Sequence, residues 1–284
     1  MRARTYVRLG RVSNLPTVFT DVVAAVILAG AAPTVAVLAP LVLAHAAFYV
    51  GGMFLNDAFD REIDARERPE RPIPAGEIGA WEVFAVGFGL LALGCAGVAA
   101  ASLATGRGLL PIASSVTLGA TIVLYDIWHK GNPLSPLIMA ACRVLVFVTS
   151  ALVVSGSVAM PVIVGATCLG AYLVGLTWAA KQEKLPELGS LAPLVLLWAP
   201  LLFTFGAART LAGAAVVLAF AAWTAQATAW MVHRRTGQAV AAMTAGISLL
   251  DAALVARAGQ PAVGAAMWIG FGATWSLQRW ARGA

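Results

Sequence analysis

The sequence predicts an all-α fold, a polytopic membrane bundle of nine or ten transmembrane helices. Hydrophobic residues make up 60% of the 284 residues and charged residues only 11%, and the mean hydropathy is +0.84. Such a composition excludes an ordinary soluble domain. The apolar residues also fall in long runs, as spans of about 20 apolar residues each require. We therefore predict a single transmembrane domain over residues 1–284.

Ten apolar segments are the predicted spans, and proline and glycine residues separate them. Pro33 and Pro161, for example, each lie between two apolar runs, where proline ends one helix or begins the next. The seventh segment is the shortest, and it decides between nine and ten spans. The segments are 14–31, 36–56, 80–104, 108–127, 134–157, 160–180, 190–207, 211–232, 238–257 and 261–279.

Basic residues are distributed unevenly over the predicted loops. If the N-terminus is cytoplasmic, Arg107, Arg209 and Arg257 lie outside and Arg143 lies within a span. The positive-inside rule then places both termini in the cytoplasm, in a multi-pass protein of a prokaryotic cytoplasmic membrane. Membrane topology, rather than a nucleic-acid partner, explains the net charge of +6. The basic residues on the cytoplasmic side are Arg2, Arg4, Arg8, Arg11, Arg61, Arg66, Arg68, Arg71, Lys130, Lys181, Lys184, Arg234, Arg235, Arg279 and Arg282.

The stretch 55–76, between the second and third predicted spans, concentrates the acidic residues of the chain. Asn56, Asp60 and Asp64 stand at i, i+4 and i+8, so on a helix they line one face, with Asp57 beside them. Of the 13 acidic residues in the chain, this stretch contains Asp57, Asp60, Glu62, Asp64, Glu67 and Glu70.

Oxygen-bearing side chains on one helical face suit Mg²⁺, which commonly takes one or two carboxylates, several waters and a substrate phosphate. A solvated charged loop is the alternative interpretation. Like charges on one face repel one another unless a cation lies between them. This repulsion favours a site for a metal ion and a diphosphate.

A second charged turn follows the sixth predicted span on the same side of the membrane. Glu183 and Glu187 are four residues apart, so on a helix their carboxylates are neighbours. Lys181 and Lys184 flank them, and ion pairing with these lysines is the alternative to metal binding. Both acidic stretches end an even-numbered span, so packing of the bundle can bring them face to face.

The fourth predicted span also ends on the cytoplasmic side, in the sequence YDIWHK at 125–130. Lys130 can reach a phosphate there, with Asp126 one turn behind it as its ion-pair partner. The alternative is that Lys130 only anchors the end of the helix at the membrane surface.

Four acidic, basic or histidine side chains lie away from the ends of the predicted spans, where a charged group is costly and points to function. They are Asp21, His45, Arg143 and Asp251. Either they line a substrate cavity or they pair with one another, as Arg143 would with Asp21 or Asp251.

The two acidic stretches resemble the two motifs of the UbiA superfamily of intramembrane prenyltransferases. The first reads NDxxDxxxD at 56–64 and continues as RPIPAG at 71–76. The second reads QExxxE at 182–187, where the family typically has QDxxxD. The resemblance covers the helix order from the first to the sixth span, and it is more specific at the first motif.

The resemblance implies an enzyme that moves an isoprenyl group from a Mg²⁺-bound isoprenyl diphosphate to an aromatic or lipid acceptor and releases pyrophosphate. The family has YxxxK at the end of its fourth helix, and here Tyr125 and Lys130 are one residue farther apart. The implied metal ligands are Asn56, Asp60, Asp64, Glu183 and Glu187. The implied catalytic residues are Asp60, Asp64 and Lys130. The implied substrate contacts are Arg11, Asn14, Asp57 and Tyr125, and the position of Arg143 deep within a span makes it a further candidate.

Two other functions compete with this one. A transporter would use Asp21, Arg143 and Asp251 near the midplane, but the charges of this chain cluster at one membrane face. A catalytically degenerate relative would bind a polyprenyl lipid without turnover, and the glutamates of the second motif keep that alternative open.

Overall fold

The computed structural model describes residues 2–184 and 189–283, and the regular structure in these ranges is helical. The α-helices are α1 (Arg2–Leu9), α2 (Leu15–Leu28), α3 (Val35–Phe59), α4 (Arg61–Glu67), α5 (Ala80–Thr105), α6 (Leu110–Trp128), α7 (Ser135–Ser155), α8 (Met160–Lys181), α9 (Leu201–Thr204), α10 (Leu211–Val232), α11 (Thr236–Arg257), α12 (Pro261–Ala266) and α13 (Trp268–Gly283). Short 3₁₀ helices lie at Val12–Asn14, Gln182–Lys184, Ala192–Leu197 and Phe205–Arg209.

Eight helical segments of the described chain are long and apolar enough to cross a membrane. They are α3, α5, α6, α7, α8, α10, α11 and the segment Ala192–Arg209, in which α9 lies between two 3₁₀ helices. A ninth results if α1 and α2, which are bent by 52° at a short break, count as one span. The predicted all-α, multi-pass membrane bundle is confirmed.

The first and last predicted spans differ from the helices that the structure contains. α2 has only 14 residues, because Gly30 adopts a left-handed φ of 79° and Pro33 follows, so the helix ends short of about 20 residues. The predicted span 261–279 is divided at Met267 into α12 and the 16-residue α13. The described ranges therefore hold eight or nine candidate spans, where the sequence predicted nine or ten.

α11 lies at the centre of the bundle and is buried along almost its whole length. It packs against α2, α8, α10, α12 and α13. Alanine and glycine are frequent in its sequence, TGQAVAAMTAGISLLDAALVAR. Since small residues let membrane helices approach one another closely, this composition suits the central position of α11.

α5 holds in place α3, the helix that ends in the first acidic stretch. A Cβ atom at Gly51 would lie 2.9 Å from Gly87 O, and one at Gly87 would lie 2.7 Å from the Leu55 side chain. A larger residue at either position would push the two helices apart. This close contact therefore fixes the last turns of α3, and with them the acidic residues that follow.

Candidate functional site

The predicted acidic face is formed at the junction of α3 and α4. Asp60 lies between the two helices, yet the helical hydrogen-bond pattern continues through it. Asp60 N–H donates to Asn56 O at 3.0 Å, and Asp64 N–H donates to Asp60 O at 2.8 Å. Asn56, Asp57, Asp60 and Asp64 are all buried. We call these four residues the acidic cluster.

Two arginines neutralise one side of the acidic cluster. Arg71, in the loop between α4 and α5, contacts Asp57 Oδ1 at 3.0 Å and Asp64 Oδ2 at 2.7 Å with the same Nη1 atom. Arg11 Nη2 lies 3.3 Å from Asp57 Oδ1 and 3.4 Å from Asn56 Oδ1. Side chains of the protein thus provide positive charge that the acidic face requires.

The end of α6 supplies two more basic side chains. Lys130 Nζ lies 3.0 Å from Asp60 Oδ2, and His129 Nε2 lies 3.4 Å from the same oxygen. Burial by itself would raise the pKa of Asp60, but hydrogen bonds and charge from His129 and Lys130 outweigh it and hold the pKa below its usual value. The ring of His129 stacks on that of Tyr125, with the centroids 5.0 Å apart.

Asp126 has a different partner from the one that its spacing predicted. Its Oδ1 accepts a hydrogen bond from Asn56 Nδ2 at 3.3 Å, whereas Lys130 contacts Asp60. The predicted pair of Asp126 and Lys130 is wrong because α6 ends at Trp128, so helical spacing no longer applies at Lys130. Asp126 Oδ2 is buried and has no hydrogen-bond partner among the described residues.

The second acidic turn lies at the same end of the bundle as the acidic cluster. Glu183, in the 3₁₀ helix after α8, lines a cavity of about 890 Å³ together with Arg11 and Asn14. Because Arg11 also contacts Asp57, it lies between the cavity and the acidic cluster. Glu187 lies outside the described residues.

Lys181, at the end of α8, donates hydrogen bonds to Asn132 O at 2.6 Å and to Ser135 Oγ at 2.9 Å. Neither acceptor is a carboxylate, so these contacts are not the predicted ion pairing with the glutamates. Asn132 lies in the turn between α6 and α7, and Ser135 is the first residue of α7. Lys181 therefore ties the end of α8 to the segment that carries Lys130.

A second polar cluster lies deeper in the bundle. Arg143 forms an ion pair with Asp21 and donates a hydrogen bond to Thr17 Oγ1 at 3.0 Å. Its guanidinium lies over the ring of Tyr49, 5.5 Å from the centroid. The predicted pairing of Arg143 with Asp21 is confirmed.

The other two ionisable residues of this region accept or share hydrogen bonds with neutral groups, and the Asp251 carboxyl also lies beside that of Asp21. Asp251 is fully buried, and its Oδ2 accepts a hydrogen bond from Thr20 Oγ1 at 2.7 Å. His45 Nδ1 lies 2.8 Å from Leu41 O of its own helix. His45 thus bonds to the backbone of α3.

Arg71 and His129 contact the acidic cluster, although we did not predict either as a site residue. Arg71 follows Asp64 by seven residues, but α4 ends at Glu67 and the chain turns through the loop before Arg71, so helical spacing does not account for the contact. The available signal was charge balance, since buried carboxylates require cations nearby. That requirement pointed to basic residues without saying which ones.

Comparison with known proteins shows the family to which the chain is related. The sequence profile described as the UbiA prenyltransferase family matches residues 17–250. Over 132 residues the chain is 36% identical to the digeranylgeranylglyceryl phosphate synthase of Methanopyrus kandleri, covering 46% of each chain. Over 93 residues it is 41% identical to the synthase of the same name from Ignicoccus hospitalis, covering 33% of this chain and 30% of that one. The matched part therefore spans less than half the length of these relatives.

Solved structures share the fold. A UbiA homolog from Aeropyrum pernix K1 superposes with a TM-score of 0.69 at 16% identity, covering 87% of this chain and 98% of that one. A structure from work on digeranylgeranylglyceryl phosphate synthase in membranes superposes with a TM-score of 0.63 at 19% identity, covering 91% and 99%. Because the family profile matches most of the sequence, the chain belongs to the UbiA prenyltransferase family.

Proposed function

We propose that this protein is a membrane prenyltransferase that moves an isoprenyl group from an isoprenyl diphosphate to a lipid acceptor and releases pyrophosphate. The acidic cluster carries the proposal, because buried carboxylates meet basic side chains from three other segments there. Carboxylates bind Mg²⁺ and basic groups bind phosphate oxygens. Such a mixed site suits a diphosphate that arrives with its metal ion.

The donor set fits a Mg²⁺ that is shared with a diphosphate. Within the described ranges, no three acidic, histidine or cysteine side chains are grouped as ligands of one metal ion. Mg²⁺ commonly takes only one or two protein carboxylates and completes its shell with phosphate and water. We assign one Mg²⁺ to Asn56, Asp60 and Asp64 and a second to Glu183 and Glu187 of the second turn. When bound, these ions would neutralise the diphosphate and make pyrophosphate a better leaving group.

Basic side chains around the acidic cluster are assigned to the diphosphate. Lys130, Arg71 and Arg11 stabilise the charge that develops on pyrophosphate as it departs. We propose Lys130, Asp60 and Asp64 as the catalytic residues. The proposed substrate contacts beside them are Arg11, Asp57 and Tyr125.

The cavity beside Arg11 is the proposed acceptor site. Asn14 lies on its wall, and its Oδ1 accepts a hydrogen bond from Gln278 Nε2 at 2.7 Å. Arginines and apolar side chains both line the cavity, which suits a lipid alcohol that carries a phosphate, as the names of the relatives also indicate. These lining residues are Arg4, Arg8, Arg11, Val7, Leu277 and Trp280. Arg143 is not part of this lining, and its contact with a substrate stays a proposal.

Turnover by the purified protein tests this function. The protein would be incubated with Mg²⁺, with geranyl, farnesyl, geranylgeranyl or longer diphosphates, and with a panel of aromatic and lipid-alcohol acceptors. We expect Mg²⁺-dependent release of pyrophosphate and a product whose mass is the acceptor plus one isoprenyl group. Binding of a polyprenyl lipid without pyrophosphate release from any pair would contradict the proposal.

We propose that the acidic cluster faces the cytoplasm, and cysteine labelling tests this orientation. In a variant whose native cysteines are replaced, a cysteine at Glu67 or Gln238 should react with an impermeant reagent only from the cytoplasmic side. A cysteine at Gly259 should react only from outside. All three positions are exposed, so reactivity reports the side of the membrane. Labelling of Glu67 and Gly259 from the same side would show that the proposed topology is wrong.

The second motif is tested by Glu183→Gln, which keeps the shape of the side chain and removes its charge. If Glu183 holds Mg²⁺, loss of a charged ligand should raise the Mg²⁺ concentration for half-maximal activity about tenfold or more. If it forms only an exposed ion pair, the change should be small, because such pairs contribute about 0–1 kcal/mol. Glu70→Gln, at an exposed residue of the first loop, is the control. A Mg²⁺ titration of Glu183→Gln that coincides with wild type would remove Glu183 from the site.

A further inference from the structure

The N-terminal helix α1 lies against the loop that carries Arg71. Arg8 Nη2 donates a hydrogen bond to Glu70 O at 3.3 Å, immediately before Arg71 in the chain. Arg8 Nη1 also contacts Glu77 Oε1 at 2.9 Å. Glu77 N–H in turn donates to Pro72 O at 2.9 Å, immediately after Arg71. One side chain of α1 is therefore linked to both chain neighbours of Arg71.

Two hydroxyl groups of α1 add to this contact. Thr5 Oγ1 donates to Glu77 Oε2 at 3.0 Å. Tyr6 OH donates to Glu82 Oε1 at 2.7 Å, in the first turn of α5. Since Glu77 and Glu82 lie on either side of the point where the loop enters α5, α1 is bonded across that junction.

The apolar side of α1 is packed against the same region. Leu9 has no exposed surface and packs with Phe54 of α3 and Val83 of α5. The ring of Tyr6 meets that of Phe54 edge-on, with the centroids 5.5 Å apart. Ile73 of the loop packs against the same group. α1, the loop and the facing parts of α3 and α5 thus form one packed unit.

The chain leaves α1 through a residue with an unusual backbone conformation. Arg11 has φ 42° and ψ 46°, in the left-handed region, which is unfavourable for a residue that carries a side chain. Such a conformation persists only where the surroundings hold it. Here α1, which precedes Arg11, is packed against α3 and α5. The 3₁₀ helix Val12–Asn14 and α2 follow Arg11, and its side chain contacts Asp57.

We propose that α1 is a positioning strap for the acidic cluster. Through Glu77 and Glu82 it holds the loop so that Arg71 bridges Asp57 and Asp64, and through the break after Leu9 it directs Arg11 to Asp57. The inference rests on the proposed function, in which Arg71 and Arg11 contact the diphosphate. Thr5 and Tyr6 act through these arginines and are positioning residues.

The double variant Thr5→Val/Tyr6→Phe tests the strap without changing any charge. It removes the two hydroxyl hydrogen bonds and keeps the ring of Tyr6 against Phe54, so the cavity lining and the acidic cluster stay intact. We expect the KM for geranylgeranyl diphosphate to rise about fivefold with a smaller change in kcat, below the roughly hundredfold that an ångström of misplacement can cost. Hydrogen exchange of residues 68–79, measured without substrate, should become faster.

Two matched variants control for loss of a hydroxyl group. Thr5→Ser keeps the hydroxyl and should keep the wild-type KM and exchange rate. Thr228→Val removes a hydroxyl that bonds to Thr224 O within α10, at 2.8 Å, and should change neither quantity. If the double variant does not fold, Glu82→Gln, which weakens only the contact with Tyr6, should move both quantities in the same direction.

The result also separates this inference from the proposed function. If Asp60→Ala is inactive while the double variant keeps the wild-type KM, or keeps the wild-type exchange rate in 68–79, the strap is overturned and the diphosphate site stands. If Asp60→Ala keeps its turnover, the acidic cluster is not the diphosphate site, and the strap, which acts on that cluster, fails with it. Absence of pyrophosphate release by the wild-type protein is the separate result that contradicts the proposed function.

Discussion

Replacement of Asp60 by alanine is expected to abolish isoprenyl transfer while the protein still inserts and folds. Asp60 stands at the centre of the acidic face and contacts His129 and Lys130, in the turn after α6. Without this carboxylate, the proposed Mg²⁺ site loses a ligand and Lys130 loses the group that positions it. We expect turnover to fall roughly a thousandfold or more, the upper range for removal of one preorganised electrostatic contact.

The fold should survive this substitution because Lys130, with 40% of its side chain exposed, is still solvated by water when the carboxylate is lost. Glu62→Gln is the matched control. Glu62 lies two residues farther along the chain with 76% of its side chain exposed, and this variant should keep wild-type turnover. Pyrophosphate release and gel-filtration profiles of the purified variants measure activity and folding. Near wild-type release by Asp60→Ala would take the acidic cluster out of the catalytic site.

Apolar length and helix breakers were sufficient to predict most of the bundle. The predicted spans 80–104, 160–180 and 211–232 agree with α5, α8 and α10 to within one residue at each end. The span 261–279 was predicted less well, because its hydropathy does not show the division at Met267. A Cβ atom at Gly264 would lie 2.6 Å from Ala252 O of α11. The path of the chain near Met267 therefore depends on packing against the central helix α11. Such a contact cannot be read from the local sequence pattern.

The carboxylates of the site could be predicted from local spacing, whereas their cations could not. Asn56, Asp60 and Asp64 share a continuous helical hydrogen-bond pattern, so four-residue spacing was enough to group them. The contacts of Arg71 and Lys130 depend on how a loop and a second helix end pack against α3. For the same reason the predicted partner of Lys130 was wrong, since its actual partner comes from 70 residues earlier in the chain.

Replacement of Arg143 by leucine is expected to destabilise the protein strongly. The variant leaves Asp21, which is fully buried, without its cation inside a membrane bundle. Removal of one partner of a buried ion pair costs about 3–5 kcal/mol, because the other charge stays buried and uncompensated. For a chain of this size, that loss corresponds to a fall in Tm on the order of 10 °C. Thermal unfolding of the purified protein in detergent measures it.

A second substitution shows whether charge compensation is the cause. Arg143→Leu/Asp21→Asn removes both charges, so it should recover most of the lost stability. Arg107→Leu, at an exposed arginine that bonds to Val154 O, should change stability by only about 0.5 kcal/mol. A single Arg143→Leu variant as stable as wild type, or a double variant no more stable than the single, would contradict the assignment. Turnover of a stable double variant then tests the remaining proposal, because an Arg143 that contacts substrate cannot be lost without a fall in activity.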